Sequence, residues 1–339
     1  NDENVDRTIR RLEEYDFNVL HRLDDCISFM FVPAGHILNS AQLVLFIQDG
    51  DLKKKILYTS DLGNTFVKKY YVQPFEKVDS ADIVIGESTY GDTYENATEE
   101  LRNKEIRQLE NVIRETCLEK KGTVLIPVFA NSRAQELMTV LFHMFSNDPQ
   151  FRIPVILDTS LGEQICMDYL DTLKKDDLHM FRTVCAWNNM VYFEPYISRT
   201  VLDGPAVVLA SSGMLNFGPA NNWCKSVIRD PLSTILFCGY SPEGSLAEKV
   251  KDPAVKELVI EGKKYKKNCK IIDLHSFSSH MQRDALLDYY ASIDAKTIFL
   301  VHGDSSAKSS LSEELRARLS SSGKDTTVIP FVETCHHLC

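Results

Sequence analysis

The chain of 339 residues has no cysteine pair at CxxC spacing, no internal repeat and no apolar run of membrane-spanning length. Its nine cysteines are an odd, scattered set, which excludes a disulfide framework as the basis of the fold and predicts a reducing compartment. A transmembrane helix needs about 20 apolar residues, so no membrane partner is expected. The opening NDENVDRTIRRLEEY also lacks signal-peptide features. A cytoplasmic protein is therefore predicted.

Basic residues are outnumbered by acidic ones, 38 to 48, so the formal net charge is -10. This balance argues against a general nucleic-acid coat, although it leaves room for a local basic groove around an acidic metal site. A hydrophobic content of 44% and a charged content of 25% are ordinary for a globular protein. At this length, two domains or one domain interrupted by another are expected.

The most informative stretch runs from Ile271 to Asp304. It predicts a buried strand, an amphipathic helix and a second buried strand at Thr297 to Val301, with His280 in the first loop and His302 after the second strand. Ligands collect at the carboxyl ends of parallel strands, so both histidines are candidates for metal binding or acid–base work. Taken alone, each is more simply interpreted as a loop residue.

Earlier strands are predicted to end on candidate residues in the same way. The three cases are Cys26 to Val32 before His36, Lys55 to Thr59 before Asp61, and Asp82 to Gly86 before Glu87. The strand at Leu43 to Gln48 and the one at Lys55 to Thr59 form a predicted antiparallel hairpin, joined by the turn-rich DGDLKK. Because Glu87 directly follows an apolar strand, it is a better functional candidate than Asp51, Asp79 and Asp82, which are predicted to be turn or cap residues.

The middle of the chain alternates strands with helices. After a long helix at 97–119, strands are predicted at 123–128, 155–157, 206–210 and 235–238, with helices at 132–145 and 161–173. This alternation predicts parallel βαβ units in a second α/β domain inserted into the first. The expected division is 1–91 for the first part of one domain, 92–246 for the inserted domain and 247–339 for the return segment.

Several motifs together resemble one family. AGHILNSAQ, YTSDLG, GESTYGD, SFSSH and LVHGD, in this order and spacing, resemble the β-CASP branch of the metallo-β-lactamase superfamily, as do VFANSRAQEL, ASSGML and GYSPEGSLA. Within it, the chain is similar to bacterial and archaeal RNA-processing nucleases and to the endonuclease subunit of the pre-mRNA 3′-end cleavage complex. The resemblance implies an α/β fold, an αββα sandwich of two sheets interrupted by a β-CASP domain with a mainly parallel sheet.

The resemblance also implies a site. Two zinc ions between the domains would activate a water that attacks a phosphodiester. His36 resembles a ligand of the first zinc, Asp61 the carboxylate bridging both and His302 a ligand of the second. His280 resembles the general acid and Glu87 the carboxylate that orients it. These residue types suit the chemistry, because zinc accepts neutral imidazoles and an anionic bridge holds two cations close together.

The implied substrate is RNA. A histidine at the position of His302 goes with RNA-directed members of the branch, whereas DNA-directed members carry valine. We therefore expect an endoribonuclease, with exonuclease activity left open and a DNA-directed nuclease of the same branch as an alternative.

One motif of the branch departs from this pattern. His-x-His-x-Asp-His, which supplies four zinc ligands, does not occur in these 339 residues, and the stretch from His21 to Asp25 is only an imitation of it. A fragment of a longer enzyme is the favoured interpretation, because the chain starts on Asn and its other motifs are intact. Such a fragment would need a complementing N-terminal segment or a second copy in a homodimer. A metal-poor scaffold that binds RNA or protein is the alternative.

Two smaller patterns predict phosphate contacts. Ser132 and Arg133 begin a predicted helix, and Ser211, Ser212 and Gly213 follow an apolar strand, so both loops could offer N–H and hydroxyl groups to phosphates. Capping and turn chemistry explains them equally well from the residues alone. With the resemblance, phosphate binding on the RNA path is favoured. The tail from Cys335 to Cys339 is interpreted as a frayed end rather than a third metal site.

Overall fold

The computed structural model describes residues 2–159, 161–193, 204–239, 241 and 244–331, so the tail at 335–339 lies outside the described residues. The chain divides into two compact units. Unit 1 contains the described residues 2–65, 72–96 and 279–331, and unit 2 contains Phe66–Tyr71 and Ala97–Ser278. Unit 1 is therefore built from segments on both sides of the long insertion.

The N-terminal part of the chain supplies strands to unit 1. Its elements are α1 (Asp2–Ile9), β1 (His21–Arg22), β2 (Ile27–Pro33), β3 (Ala41–Asp49), β4 (Leu52–Tyr58) and β5 (Ser80–Glu87). The predicted hairpin is confirmed, since β3 and β4 pair antiparallel with Leu45 opposite Ile56. β5 then joins β4 in parallel.

Unit 2 contains the alternating elements. They are α2 (Glu99–Ile113) with a π-helical continuation (Arg114–Glu119), β6 (Val124–Pro127), α3 (Arg133–Phe145), β7 (Val155–Asp158), α4 (Gly162–Thr172), α5 (Lys175–Cys185), β8 (Met190–Tyr192), β9 (Val207–Ala210), α6 (Gly218–Val227), β10 (Thr234–Phe237), α7 (Leu246–Lys251), β11 (Glu257–Ile260), β12 (Lys263–Lys266) and β13 (Lys270–Asp273). A parallel sheet has the order β13-β10-β6-β9-β7-β8. Its strands β6, β7, β9 and β10 are buried throughout, as their continuous apolar runs predict.

The C-terminal part returns to unit 1. It contributes α8 (Arg283–Ser292), β14 (Asp294–Val301), α9 (Ser305–Ser321) and β15 (Thr327–Pro330). β14 lies between β5 and β15, parallel to both, in a seven-stranded sheet of order β1-β2-β3-β4-β5-β14-β15. Leu286 of α8 and Leu315 of α9 share one apolar core with Val84 and Ile298 of the sheet. The described residues of unit 1 thus form one mixed sheet backed by helices.

The predicted strand-helix-strand unit around His280 needs correction. Ile271 of β13 pairs with Ile235 in the sheet of unit 2, whereas Ile298 of β14 pairs with Val84 in the sheet of unit 1. β13 therefore does not deliver His280 to the edge of the sheet at which β14 delivers His302. For the same reason unit 2 runs to Ser278, beyond the predicted return at 247. No described helix is both long enough and apolar enough to cross a bilayer.

Candidate metal centre

Five predicted residues of unit 1 come together at one edge of the seven-stranded sheet. Glu87 is the last residue of β5, His302 follows the neighbouring β14, and Val301 lies opposite Glu87 in the parallel register. Asp61 follows β4, on the other side of β5. The carboxyl ends of these adjacent parallel strands thus deliver three candidates to one rim. His36 reaches the rim from the loop after β2, where its Nε2 contacts Asp61.

Asp61 directs one carboxylate oxygen toward each of two histidines. Its Oδ2 lies 3.9 Å from Nε2 of His36, and its Oδ1 lies 3.3 Å from Nδ1 of His302. Imidazole nitrogens and carboxylate oxygens are donors that zinc accepts, and Asp61 lies between the two histidines, as a carboxylate shared by two ions would.

His280 is held by a buried carboxylate. Its Nδ1 lies 3.3 Å from both Oε1 and Oε2 of Glu87, whose side chain is only 1% exposed. Oε1 of Glu87 also accepts from the backbone N–H of Leu62 at 2.7 Å, and Oε2 from that of Thr89 at 3.2 Å. These donors fix the carboxylate in place, so Glu87 can orient the His280 ring.

His280 is positioned by a short backbone bridge and not by the end of a strand. His280 pairs with Gly63 in an isolated antiparallel bridge, the N–H of Asn64 donates to Ser279 O at 2.9 Å, and that of Met281 donates to Leu62 O at 2.8 Å. A Cβ on Gly63 would overlap the carbonyl of Gly35, so only glycine fits here. No local sequence pattern predicts this contact, because the two segments lie more than 200 residues apart.

Ligand-type atoms form two overlapping groups in the part of the chain that the structure describes. Each group lies within 4.8 Å: His36 with Asp61 and His280, and Glu87 with His280 and His302. The ring of His280 is a neighbour of both other imidazoles, with centroid distances of 4.4 Å to His36 and 5.7 Å to His302. The geometry therefore suits His280 both as an acid and as a ligand.

Tyr290 contacts the end of β5, the strand that carries Glu87. Its hydroxyl donates to the backbone oxygen of Glu87 at 2.8 Å, and its ring fills the space beside Gly86. Burial, together with the nearby Glu87 charge, raises the pKa of Tyr290 well above its ordinary value, so the phenol stays a protonated donor. The sequence predicted Tyr290 only as part of an apolar helix face. Thr89 was likewise missed, although it lies in the quoted GESTYGD motif.

The first predicted phosphate-binding pair lies in unit 2, at the start of α3. Arg133 is buried, and its guanidinium forms an ion pair with Glu136, whose other oxygen accepts from Arg102 at 2.6 Å. Ser132 is also buried, and its side chain does not cap the helix. Arg133 is therefore engaged inside unit 2, and phosphate binding at this position stays a prediction.

The second predicted phosphate-binding loop follows β9. The N–H of Ser211 donates to Asp158 O at 3.2 Å, and that of Ser212 donates to Phe217 O at 3.4 Å. Gly213 lies beside the end of β6, since a Cβ on it would be 3.4 Å from the carbonyl carbon of Val128. The two predicted phosphate loops thus meet at one edge of the parallel sheet, but two of the three amides already have acceptors.

Two family models match this chain. Residues 134–250 match the Beta-Casp domain, and residues 264–330 match the Zn-dependent metallo-hydrolase RNA specificity domain. The chain belongs to the β-CASP branch of the metallo-β-lactamase superfamily. The resemblance found in the motifs is thereby confirmed, and His280 and His302 both lie within the second matched region.

The sequence matches to similar proteins cover nearly the whole of this chain. It is 28% identical to endoribonuclease ysh1 of Schizosaccharomyces pombe, covering 94% of this chain and 41% of that protein. It is 28% identical to an RNase J-like protein of Methanocaldococcus jannaschii (89% and 70%) and 28% identical to cleavage and polyadenylation specificity factor 73 of Drosophila melanogaster (91% and 44%). The chain thus spans less than half the length of two of these three relatives.

Proposed function

We propose that this protein hydrolyses phosphodiester bonds of RNA with the help of zinc bound at the rim of the unit 1 sheet. The observation that carries this proposal is the position of Asp61 between His36 and His302, while His280 rests on the buried carboxylate of Glu87. Relatives named as endoribonucleases support RNA as the substrate.

His36, Asp61 and His302 would hold the metal, and two ions sharing Asp61 are part of the proposal. When bound, zinc supplies Lewis-acid stabilisation of the negative charge that develops on the phosphodiester. Asp61 is 37% exposed and His302 is 54% exposed at the side chain, so both are accessible to ions and to substrate. The negative charge of Asp61 would offset the electrostatic repulsion between two nearby cations.

His280 would deliver the proton to the leaving oxygen. Glu87 holds the Nδ1 side of the ring, which leaves Nε2 to carry and release the proton. Glu87 acts through His280 and does not itself need to reach the RNA.

Cleavage of matched nucleic acids tests the substrate class. The protein, purified as the cell makes it, is incubated with a labelled single-stranded RNA and with a DNA of the same sequence, with zinc or with a chelator. We expect internal cleavage of RNA that is lost with the chelator and restored by zinc, and little cleavage of DNA. Preferred cleavage of DNA, or metal-independent cleavage, would contradict the proposal.

Three further proposals accompany this function. Ser132, Arg133, Ser211, Ser212 and Gly213 are proposed to contact RNA phosphates, and mutating them should weaken binding with little regard to sequence. A complementing segment or a second copy of the chain is the proposed protein partner. A cytoplasmic location is consistent with free thiols at the described cysteines.

A further inference from the structure

Thr89 lies in the loop after β5 and contacts both the ring and the backbone of His302. Its Oγ1 is 3.1 Å from the ring Nδ1 and also donates to the backbone oxygen of His302 at 3.3 Å. Its own N–H donates to Oε2 of Glu87 at 3.2 Å. One threonine therefore connects the carboxylate behind His280 with the ring of His302.

His302 needs such contacts, because its backbone is in an unfavourable region. Its φ is +47°, a left-handed conformation that residues other than glycine rarely adopt. Its carbonyl accepts from the N–H of Ser88 at 3.1 Å as well as from the Thr89 hydroxyl. The loop after β5 thus holds the backbone that aims the His302 ring.

The hydroxyl of Thr89 links the backbone of His302 to the tautomer of its ring. A hydroxyl has one hydrogen; when that hydrogen goes to the backbone carbonyl of His302, which can only accept, Oγ1 meets Nδ1 as an acceptor. Asp61 Oδ1, 3.3 Å from the same nitrogen, is also an acceptor. In this arrangement Nδ1 carries the hydrogen, and the lone pair of the neutral ring is on Nε2.

We propose that Thr89 is a positioning residue that fixes this tautomer, so that His302 offers Nε2 to the metal. The inference rests on the proposed function, because it assumes a metal at His302. Asp61 is itself a candidate ligand, and once its oxygens bind metal, Thr89 is the remaining acceptor for the Nδ1 hydrogen among the contacts described. Outer partners of this kind typically change metal affinity by about 10- to 100-fold when mutated.

The first test needs no metal and therefore does not depend on the proposed function. The ring nitrogens of His302 are observed by NMR in metal-free protein labelled with ¹⁵N-histidine, at a pH where the imidazole is neutral. We expect the Nδ1–H form in the wild type and in Asp61→Ala, a shift toward Nε2–H in Asp61→Ala/Thr89→Val, and the Nδ1–H form again in Asp61→Ala/Thr89→Ser. An Nε2–H ring in the wild type, or an unchanged tautomer in Asp61→Ala/Thr89→Val, would overturn the proposal.

The second test measures zinc affinity by competition with a chelating dye, in the protein purified as the cell makes it. Thr89→Val should raise the zinc dissociation constant by roughly 10- to 100-fold, and Thr89→Ser should stay near the wild-type value. Thr93→Val, the same change further along the loop, serves as the control. Equal affinities of Thr89→Val and Thr93→Val would count against the proposal. Absence of zinc binding by the wild type would instead count against the proposed function and leave the NMR result to decide on Thr89.

Discussion

At the scale of single residues, the surroundings of His280 suit two different roles, that of a general acid and that of a zinc ligand. His280 contacts the buried Glu87, and one of its ring nitrogens also lies within 4.8 Å of ligand-type atoms of Asp61 and His36. A general acid must keep its proton until the leaving oxygen departs, whereas a zinc ligand must give up its proton to bind. The two roles therefore predict different consequences of removing the ring.

We predict that replacing His280 slows the reaction without removing the metal. His280→Ala should leave the zinc content nearly unchanged and lower the rate of RNA cleavage by roughly 10²- to 10⁴-fold, the usual scale of a lost acid. Asp61→Ala should lower the zinc content as well, because it removes the shared carboxylate. Zinc is measured by atomic absorption and cleavage under single-turnover conditions. A metal-free His280→Ala protein beside a zinc-loaded Asp61→Ala protein would reverse the assigned roles.

At the scale of elements, the loop after β4 is the part that holds the rim together. Gly63 packs against Gly35 and bridges to His280, so the loops carrying His36, Asp61 and His280 meet at this glycine. The backbone of Gly63 does not need a positive φ, since only the lack of a side chain is required.

Gly63→Ala should therefore destabilise unit 1 and loosen the site. Its methyl group would overlap the Gly35 carbonyl, and such overpacking of backbone costs about 2 kcal/mol or more of unfolding free energy. Gly239→Ala is the matched control, because its Cβ meets open space. Urea denaturation measures both proteins. If the two variants were equally stable, the close approach at Gly63 would not matter to the fold.

Sequence patterns predicted the strands and helices better than they predicted which strands pair and which loops make contact. The hairpin of β3 and β4 and the buried strands β6 and β9 follow from local periodicity, as does the delivery of Glu87 and His302 by β5 and β14. The sheet that β13 joins depends on hydrogen bonds to β10, which no local pattern of apolar residues encodes. The same reason explains why the Gly63 bridge and the Thr89 contacts were missed.

At the scale of the whole molecule, apolar surface is concentrated near the start of the described chain. Leu12, Leu20 and Leu23 are 72%, 62% and 62% exposed, and Val5 and Ile9 of α1 are also exposed. β1 and β2 form the nearby end of the seven-stranded sheet, and β1 has only two residues. Exposed apolar groups beside a sheet edge promote association with another chain or segment.

The last prediction concerns these 339 residues by themselves. They offer His36 and Asp61 to one ion and Asp61 and His302 to the other, which is below the three protein ligands that a catalytic zinc ordinarily has. We expect weak zinc binding, negligible RNA cleavage and a tendency to associate, all corrected by adding a segment that carries His-x-His-x-Asp-His. Equilibrium dialysis, RNA cleavage and light scattering measure the three properties. Two tightly bound zinc ions in an active monomer would contradict this prediction, and His280 would then be the first additional ligand to test, because it lies in both ligand groups.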